Sequence, residues 1–502
     1  MGHGGVRPRL TAKQETALLC VSLMPETTEE ALASLDRVAG RADLAEIRLD
    51  AMQTFDLDRL LAAPPCPIIV TFRPAREGGL YHGPEDDRLQ TLRRAARLGA
   101  RYIDVEHDAV HGLGDVPPER VIVSYHNFDS TPEDLAGLHY RMAQSGAGTV
   151  KVAVTARHIL DTVPVLRLLQ GATVPTVALS MGERGVLTRI LAPKFGALFT
   201  YAADDTGPEA APGQLTLDRM RTLYRADRLG PSTEVYGVVA DPVGHSLSPQ
   251  IHNAAFAETA CDAVYLPLWV EGDPAAFVRA MQEFAVGGYS VTIPHKQTVM
   301  AAADEIEPLA RRIGAVNTLQ RRAGGRMFAT NTDWTAGLSA IEAVVGEGWL
   351  QGRRALQLGA GGVGRAMAFG LVERGARLTL ADLDAERAEA LAGELGAETC
   401  PADTVADVPC DLLLNCTPVG MHPKTDASPV PRGMLREGMV VYDAVYNPAE
   451  TRLLREAREA GCRTVSGLDH FVRQAVEQFE LWTGRPAPVE RMRQVVVDAL
   501  GA

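Results

Sequence analysis

The sequence predicts an α/β protein built from an N-terminal (β/α)8 TIM barrel, a smaller α/β domain and a Rossmann dinucleotide-binding domain. Three observations predict it. Short β-branched apolar runs recur eight times between residues 17 and 203, mostly separated by helix-like segments. A glycine-rich turn, "GAGGVG", follows the apolar run "RALQL" far downstream and opens another helix-like stretch. At 502 residues, the chain is also too long for one ordinary core.

The eight runs are "ALLCVSLM", "LAEIRLD", "PIIVTFR", "YIDVEH", "RVIVSYH", "TVKVAVT", "VPTVALS" and "ALFTYAA". Between them lie helical patterns such as "TPEDLAGLHYRMAQSG" and "ARHILDTVPVLRLLQG". An open doubly wound sheet permits the same alternation, but the count of eight favours a barrel. The pattern stops around "ADRLGPSTE", near residue 231, and "VYGVVAD" opens a new strand. The domains read as 15–228 for the barrel, 234–335 for a substrate-binding α/β domain completed by helices at about 467–502, and 336–466 for the Rossmann domain.

Composition bounds the function. The chain is 46% hydrophobic and 5% aromatic, as soluble globular proteins are. A net charge of −13 argues against a nucleic-acid partner and is compatible with a soluble monomer. Seven cysteines without C-x-x-C spacing indicate neither a disulfide framework nor a zinc site, and no metal is expected. There is no apolar leader or membrane-length run, so no membrane partner and a reducing cytoplasm are the expectation.

In the first half, polar residues crowd the C-terminal ends of the apolar runs, where barrel enzymes keep their sites. Glu46, Arg48 and Asp50 end the second run, Arg73 and Glu77 follow the third, and His126 ends the fifth. Lys151 lies within the sixth. Inside a barrel, desolvation and neighbouring cations would lower the pKa of such a lysine and make it a nucleophile toward a carbonyl. A lysine pointing outward between helices is the alternative.

The motifs "EIRLD", "TFRPAREGG", "SYHNFDSTP", "VKVAVT", "SMGERGVLTRI" and "APGQ" resemble the type I 3-dehydroquinate dehydratases over roughly residues 15–225. The resemblance implies that Lys151 forms a Schiff base with the substrate ketone. His126 then moves the neighbouring proton, oriented by Glu77. It also implies that Arg189 clamps the carboxylate and that Glu46, Arg48, Arg73 and Gln214 hold hydroxyls or the carboxylate. One position departs: Ala210 precedes "APGQ" where a serine is usual. A class I aldolase would also use a lysine on strand six, but the His126 and Glu77 pairing favours dehydration.

In the second half, "GHSLSPQIHNAAF" puts Ser246 and Ser248 at a helix N-terminus, where free N–H groups favour an anion. "GYSVTIPHK" supplies Thr292 and Lys296, "IGAVNT" supplies Asn317, and "NTDWTAG" supplies Asn331 and Asp333. A lysine beside an aspartate can share a proton for carbonyl or alcohol chemistry. With "GAGGVGRA", "NCTPVGM", "YDAVYNPAET" and "GLDHFVRQAVEQFELWTG", these motifs resemble the shikimate dehydrogenases across nearly all of residues 235–502. The resemblance implies a carboxylate on Ser246 and Ser248, ring hydroxyls on Thr292, Asn317, Asp333, Tyr446 and Gln474, and an acid/base pair in Lys296 and Asp333. Two positions depart. Ser290 replaces a usual asparagine, as in the plant two-domain enzymes, and His470 replaces a usual methionine.

The glycine motif places Gly359, Ala360, Gly361, Gly362, Val363 and Gly364 at the pyrophosphate. Thr417 and Gly467 complete the expected cofactor set. About 20 residues past the glycines, where the next strand should end in the group that reads the ribose, stands Asp382. A carboxylate accepts hydrogen bonds from a free 2′-hydroxyl and repels a 2′-phosphate, so NAD is expected over NADP. Asp384 reads as a helix cap, and Arg387 could still swing toward a phosphate.

The two motif sets imply consecutive steps on small molecules. 3-Dehydroquinate would be dehydrated to 3-dehydroshikimate, which would then be reduced to shikimate, in the shikimate pathway of aromatic amino acid biosynthesis. A catabolic, NAD-linked quinate or shikimate dehydrogenase is the alternative. A non-enzymatic module that binds the ring acid without turnover is a third reading, against which intact Lys151, His126, Lys296 and Asp333 stand.

Overall fold

A computed structural model describes residues 18–207, 211–244 and 246–501. Ala210 lies outside the described residues, as do residues 15–17 of the expected barrel range. Two compact units divide the chain: Met1–Glu234 with Asp262–Glu271, and Val235–Cys261 with Gly272–Ala502.

Each of the eight apolar runs marks one strand of the first unit, to within a residue at its end. These are β1 (Leu18–Leu23), β2 (Leu44–Arg48), β3 (Ile68–Thr71), β4 (Tyr102–Glu106), β5 (Val121–Asn127), β6 (Thr149–Thr155), β7 (Thr176–Met181) and β8 (Phe199–Ala203). They form one sheet in the order β7-β6-β5-β4-β3-β2-β1-β8, and every printed pairing between neighbours is parallel. At the remaining seam the Leu198 N–H donates to the Thr176 carbonyl at 2.9 Å, bringing the sheet close to a closed barrel.

Side chains alternate across a strand, so each barrel strand sends every second residue inward. One inward layer is apolar: Cys20, Leu44, Ile69, Tyr102, Ile122 and Phe199 pack into a single cluster. Two residues further along the same strands stand Ser22, Glu46, Thr71, Asp104, Ser124 and Tyr201, all buried. Lys151 belongs to this second layer, because β5 and β6 pair with Ser124 opposite Lys151 and His126 opposite Ala153. The flanking Val150, Val152 and Val154 are also buried. The lysine therefore points into the barrel, and the outward alternative falls.

The remaining strands form two further sheets: β9 (Glu234–Ala240), β10 (Ala263–Trp269), β11 (Gly288–Val291), β12 (Glu305–Ile306), β13 (Thr318–Arg321), β14 (Met327–Thr330), β15 (Arg354–Leu358), β16 (Arg377–Ala381), β17 (Glu398–Thr399), β18 (Leu412–Asn415), β19 (Val440–Asp443) and β20 (Arg463–Val465). The first sheet runs β10-β9-β11-β13-β14-β12 and is mixed, with antiparallel pairings of β13 to β11 and to β14. The second runs β17-β16-β15-β18-β19-β20 and is wholly parallel. This is the doubly wound 3-2-1-4-5-6 order, whose reversal beside β15 leaves a crevice at the strand ends for a dinucleotide.

The apolar layer of the barrel supports the polar one above it. Phe199 is fully buried and meets Tyr201 edge to face, with centroids 5.3 Å apart. Phe199→Ala is expected to cost about 3–5 kcal/mol, measured by urea unfolding followed through loss of the barrel's activity. A loss below about 1 kcal/mol, the range of a surface change, would show that this layer is not the barrel's support.

Candidate active sites

The barrel pocket, about 490 Å³ including its open mouth, is lined by Lys151, His126, Glu77, Glu46, Arg48, Arg73, Arg189 and Gln214, all the barrel residues expected from sequence. Lys151 Nζ lies 2.8 Å from Asp104 Oδ2 and 3.2 Å from Glu46 Oε1, and 4.5 Å above the centre of the Tyr201 ring. Its partners at hydrogen-bond distance are thus carboxylates, not the cations expected. Arg73 also departs from expectation, since its guanidinium is spent on Asp104 (2.7 Å), Glu106 (2.5 Å) and the Ser124 hydroxyl (2.8 Å). Arg48 forms a bidentate pair with Asp50.

Although burial opposes it, the cations Arg73 and Lys151 hold the Asp104 carboxyl far below the usual range. Glu46 is likewise held low against its burial, chiefly by Lys151. Higher in the barrel, Glu77 Oε2 accepts the His126 backbone N–H at 3.1 Å and faces His126 Nδ1 at 3.0 Å. Burial pushes Glu77 up to about 7, with Arg73 opposing and Glu106 and Asp104 adding. Burial, helped by Arg73 and Lys151, keeps His126 well below the usual histidine range, so its imidazole is neutral.

A second pocket, about 1190 Å³ by the same measure, holds every substrate residue expected in the second half: Ser246, Ser248, Thr292, Lys296, Asn317, Asp333, Tyr446 and Gln474. Lys296 Nζ and Asp333 Oδ2 stand 2.6 Å apart. Asp333 occupies the first turn of the helix Thr332–Val345, whose N-cap Asn331 accepts the Asp333 N–H. Helix N–H groups there stabilise a carboxylate. Asn317 Nδ2 donates to Asp333 Oδ1 at 2.9 Å. Against its burial, Lys296 keeps Asp333 ionised, below the ordinary aspartate range. Ser246 Oγ accepts the Ser248 N–H at 3.2 Å where the helix Ser248–Glu258 begins. Tyr446 stacks on Phe471, with centroids 4.6 Å apart and planes 5° off parallel.

The glycine turn fits a dinucleotide. Gly359 has φ of +95°, and a Cβ at Gly361 or Gly362 would meet nothing within 4 Å, leaving the backbone open to a pyrophosphate. A Cβ at Gly364 would come within 2.1 Å of the Gly359 carbonyl oxygen. The helix Gly362–Glu373 starts at this turn. Ala360 is held by Asp382, Thr417 packs beside Gly359, and Val363 and Gly467 line the pocket with Lys296.

The comparisons with known proteins follow this division. Residues 19–231 match the type I 3-dehydroquinase family, 238–319 the shikimate dehydrogenase substrate binding domain, and 467–497 the shikimate 5′-dehydrogenase C-terminal domain. The chain is 40% identical to a bifunctional 3-dehydroquinate dehydratase/shikimate dehydrogenase of Arabidopsis thaliana, named as chloroplastic, over 96% of this chain and 84% of that one. This chain belongs to the bifunctional 3-dehydroquinate dehydratase/shikimate dehydrogenase family. It carries the dehydratase and the dehydrogenase of the shikimate pathway, acting on small molecules. The second half is also 41% identical to an NADP(+) shikimate dehydrogenase of Moorella thermoacetica, over 54% of this chain and 95% of that one. It resembles a shikimate dehydrogenase solved with NADP+, with a TM-score of 0.51 and 34% identity over 54% of this chain and 96% of that one.

The expected preference for NAD is corrected here, since similar shikimate dehydrogenases are named as NADP(+) enzymes. The structure supplies a physical reason. Asp382 Oδ2 accepts the Ala360 N–H at 2.7 Å and Oδ1 accepts the Asp384 N–H at 2.9 Å, so both oxygens take part in bracing the loop. Arg387 brings a cation within 3.9 Å of the same carboxylate and 2.8 Å of Asp384, offsetting the repulsion expected of a bare acid. Asp384 caps the helix Ala385–Leu395, as expected.

Sequence reasoning missed Ser22 and Tyr201, which line the dehydratase pocket, and Asp104, which holds its lysine. It also missed Ser290, Phe471 and Gln478 as lining of the dehydrogenase pocket. Asp104 and Glu106 carried a signal: acids two apart in an apolar run share one face of a strand.

Dehydratase kcat/KM is expected to rise through an acid limb centred near pH 7. Above it, ionised Glu77 accepts Nδ1–H and leaves Nε2 of His126 as the base. Below it, protonated Glu77 must donate to Nδ1 and Nε2 carries the proton. Glu77→Gln should flatten the limb and slow the reaction by about 10²-fold. A profile unchanged in that variant would remove Glu77 from the base. In the other pocket, Gly364→Ala should weaken NADP+ binding by more than about tenfold, because even one methyl overpacks a tight turn. Fluorescence titration measures it, with dehydratase activity as the control for folding.

Proposed function

We propose that the barrel dehydrates 3-dehydroquinate through a Schiff base at Lys151 and that the second unit reduces the resulting 3-dehydroshikimate with Lys296 as proton donor. The supporting observation is that Lys151 and the His126–Glu77 pair share one cavity. In its neutral form, the Lys151 amine adds to the substrate ketone and water leaves, forming an iminium. His126 Nε2 removes the proton on the adjacent carbon, and the electron pair flows toward the iminium nitrogen. The β-hydroxyl departs with the proton from His126, forming the ring double bond. Water then hydrolyses the iminium, which frees Lys151, so the net loss is one water. Arg189 takes the carboxylate, a role suited to a planar guanidinium. Arg48, Gln214 and Glu46 face the ring. Arg73, held by Asp104 and Glu106, keeps the charges around Lys151 in place.

In the second pocket, a bound nicotinamide dinucleotide supplies the hydride, and the glycine turn at Gly359–Gly364 would hold it. The relatives' names support NADP in this place. Lys296 gives its proton to the ketone oxygen, while Asp333 keeps the ammonium beside the reacting carbon. Ser246 and Ser248 take the carboxylate at a helix N-terminus, and Thr292, Asn317, Tyr446 and Gln474 the ring hydroxyls. We read the domains as 15–228, 234–335 with about 467–502, and 336–466. Seven free thiols fit a reducing compartment, for which we take the cytoplasm.

Borohydride with 3-dehydroquinate should leave a stable covalent adduct, located at Lys151 by peptide mass spectrometry. Lys151→Ala should lose both the adduct and the dehydratase activity while shikimate oxidation persists. A dehydratase that turns over fully yet leaves no adduct would refute the Schiff base.

A further inference from the structure

β15 lies in the middle of the wholly parallel sheet, where buried strands read as apolar runs. Gln357 breaks that rule. It is fully buried, and its register neighbours are Leu380 on β16 and Leu414 on β18. Both leucines belong to an apolar cluster that also holds Ala366 and Met367 of the helix Gly362–Glu373. A polar group in such a place is costly unless it is paired, and residues that break a local rule tend to serve function. The pairing here is one-sided. Gln357 Nε2 donates to the Gly359 carbonyl at 2.9 Å and to the Gly364 carbonyl at 2.8 Å. Its Oε1 is buried with no hydrogen-bond partner among the described residues. Two carbonyls on one side fix the amide's orientation, since only the NH2 can face them. A methionine of similar volume would leave no orphaned oxygen, so stability alone does not account for the glutamine.

What the two bonds hold is the glycine turn. The Gly359 carbonyl and the Ala360 N–H belong to one peptide group; Gln357 holds its oxygen, and Asp382 Oδ2 accepts its N–H at 2.7 Å. The Gly364 carbonyl and the Arg365 N–H belong to another, whose N–H donates to the Gly361 carbonyl at 2.6 Å. One side chain therefore ties the peptide that enters the turn to the peptide that leaves it. Between them lie the first N–H groups of the helix Gly362–Glu373, which have no partner inside the helix and suit an anion. The glycines themselves offer no side chain to steady this stretch, so the restraint has to come from outside it.

We propose that Gln357 is a positioning residue for the dinucleotide, a strap beneath the glycine turn that sets the pyrophosphate-binding N–H groups before the cofactor arrives. Having no exposed surface, it acts through the turn and not by contact with the cofactor. Ordering the loop in advance spares the bound state that cost, so affinity for the dinucleotide is where the strap is felt. The proposal rests on the assignment of a nicotinamide dinucleotide to this turn.

Calorimetric titration of NADP+ and, separately, of shikimate into the full chain provides the test, using wild type, Gln357→Met and Gln357→Glu. Thermal unfolding of each protein without ligand accompanies it. Gln357→Met removes both donors at similar volume, and its Kd for NADP+ should rise about 10- to 30-fold. Shikimate binding should stay within about twofold. The ligand-free Tm should be unchanged or raised, because the orphaned oxygen leaves with the donors. In Gln357→Glu burial keeps the carboxyl protonated, which restores one donor, so its Kd for NADP+ should fall between the other two. An NADP+ Kd within about twofold of wild type in Gln357→Met overturns the proposal, whether or not the Tm falls. A parallel loss of shikimate binding also overturns it, since the residue would then support the whole unit and not the turn. If Gln357→Met does not fold, the same criteria applied to Gln357→Glu decide. Wild type that fails to bind NADP+ refutes the assignment of the dinucleotide, and the proposal with it. Dehydratase activity of each variant shows that the barrel is intact.

Discussion

The barrel site depends on one constraint: a lysine ammonium cannot sit inside a protein without countercharge. Lys151 is 5% exposed, and it is held by Asp104 and Glu46. Those acids are in turn costly alone. Arg73 binds Asp104 and Glu106, and Arg88 reaches Glu106 at 2.7 Å. Hydroxyls from Ser22 and Thr71 take up the remaining capacity of Glu46. Remove one member and the next becomes an uncompensated buried charge. The network thus fixes where the Lys151 amine stands before any substrate arrives, which is the preorganisation that catalysis needs.

The same burial divides the roles of two groups above the network. It drives Glu77 up and His126 down, so that the carboxylate rather than the imidazole titrates near neutrality. Environment, not residue type, thereby tunes a base to the working pH. The dehydrogenase pocket reaches its chemistry with fewer parts. Lys296 and Asp333 are close, Asn317 and a helix N-terminus support the carboxylate, and the larger cavity leaves room for a ring and the end of a dinucleotide.

Much of this was legible in the sequence, for reasons that particular elements make plain. Parallel strands buried on both faces read as continuous β-branched runs, so all eight barrel strands appeared where "TVKVAVT" and its fellows predicted them. The glycines of "GAGGVG" announced a turn that only glycine can make, with Gly359 at φ of +95° and Gly364 against a carbonyl. Asp104 went unnoticed because an aspartate inside a strand declares no partner, and its partners lie 31 and 47 residues away. Asp382 misled for a related reason. Its position at the end of a strand, about 20 residues past the glycine motif, suggested a ribose contact, but the backbone N–H of Ala360, 22 residues earlier, had already claimed one of its oxygens.

Alone, then, the sequence determined the order of strands and helices, the two motif sets and the polar side chains that line the two pockets, because these follow from local periodicity and residue chemistry. Only the tertiary structure decided that Lys151 points inward among acids, that Arg73 serves those acids, and that Asp382 braces its own loop. Each of these is a pairing of charges or hydrogen bonds between distant segments. Register and burial set such pairings, and neither is written in any single stretch of chain.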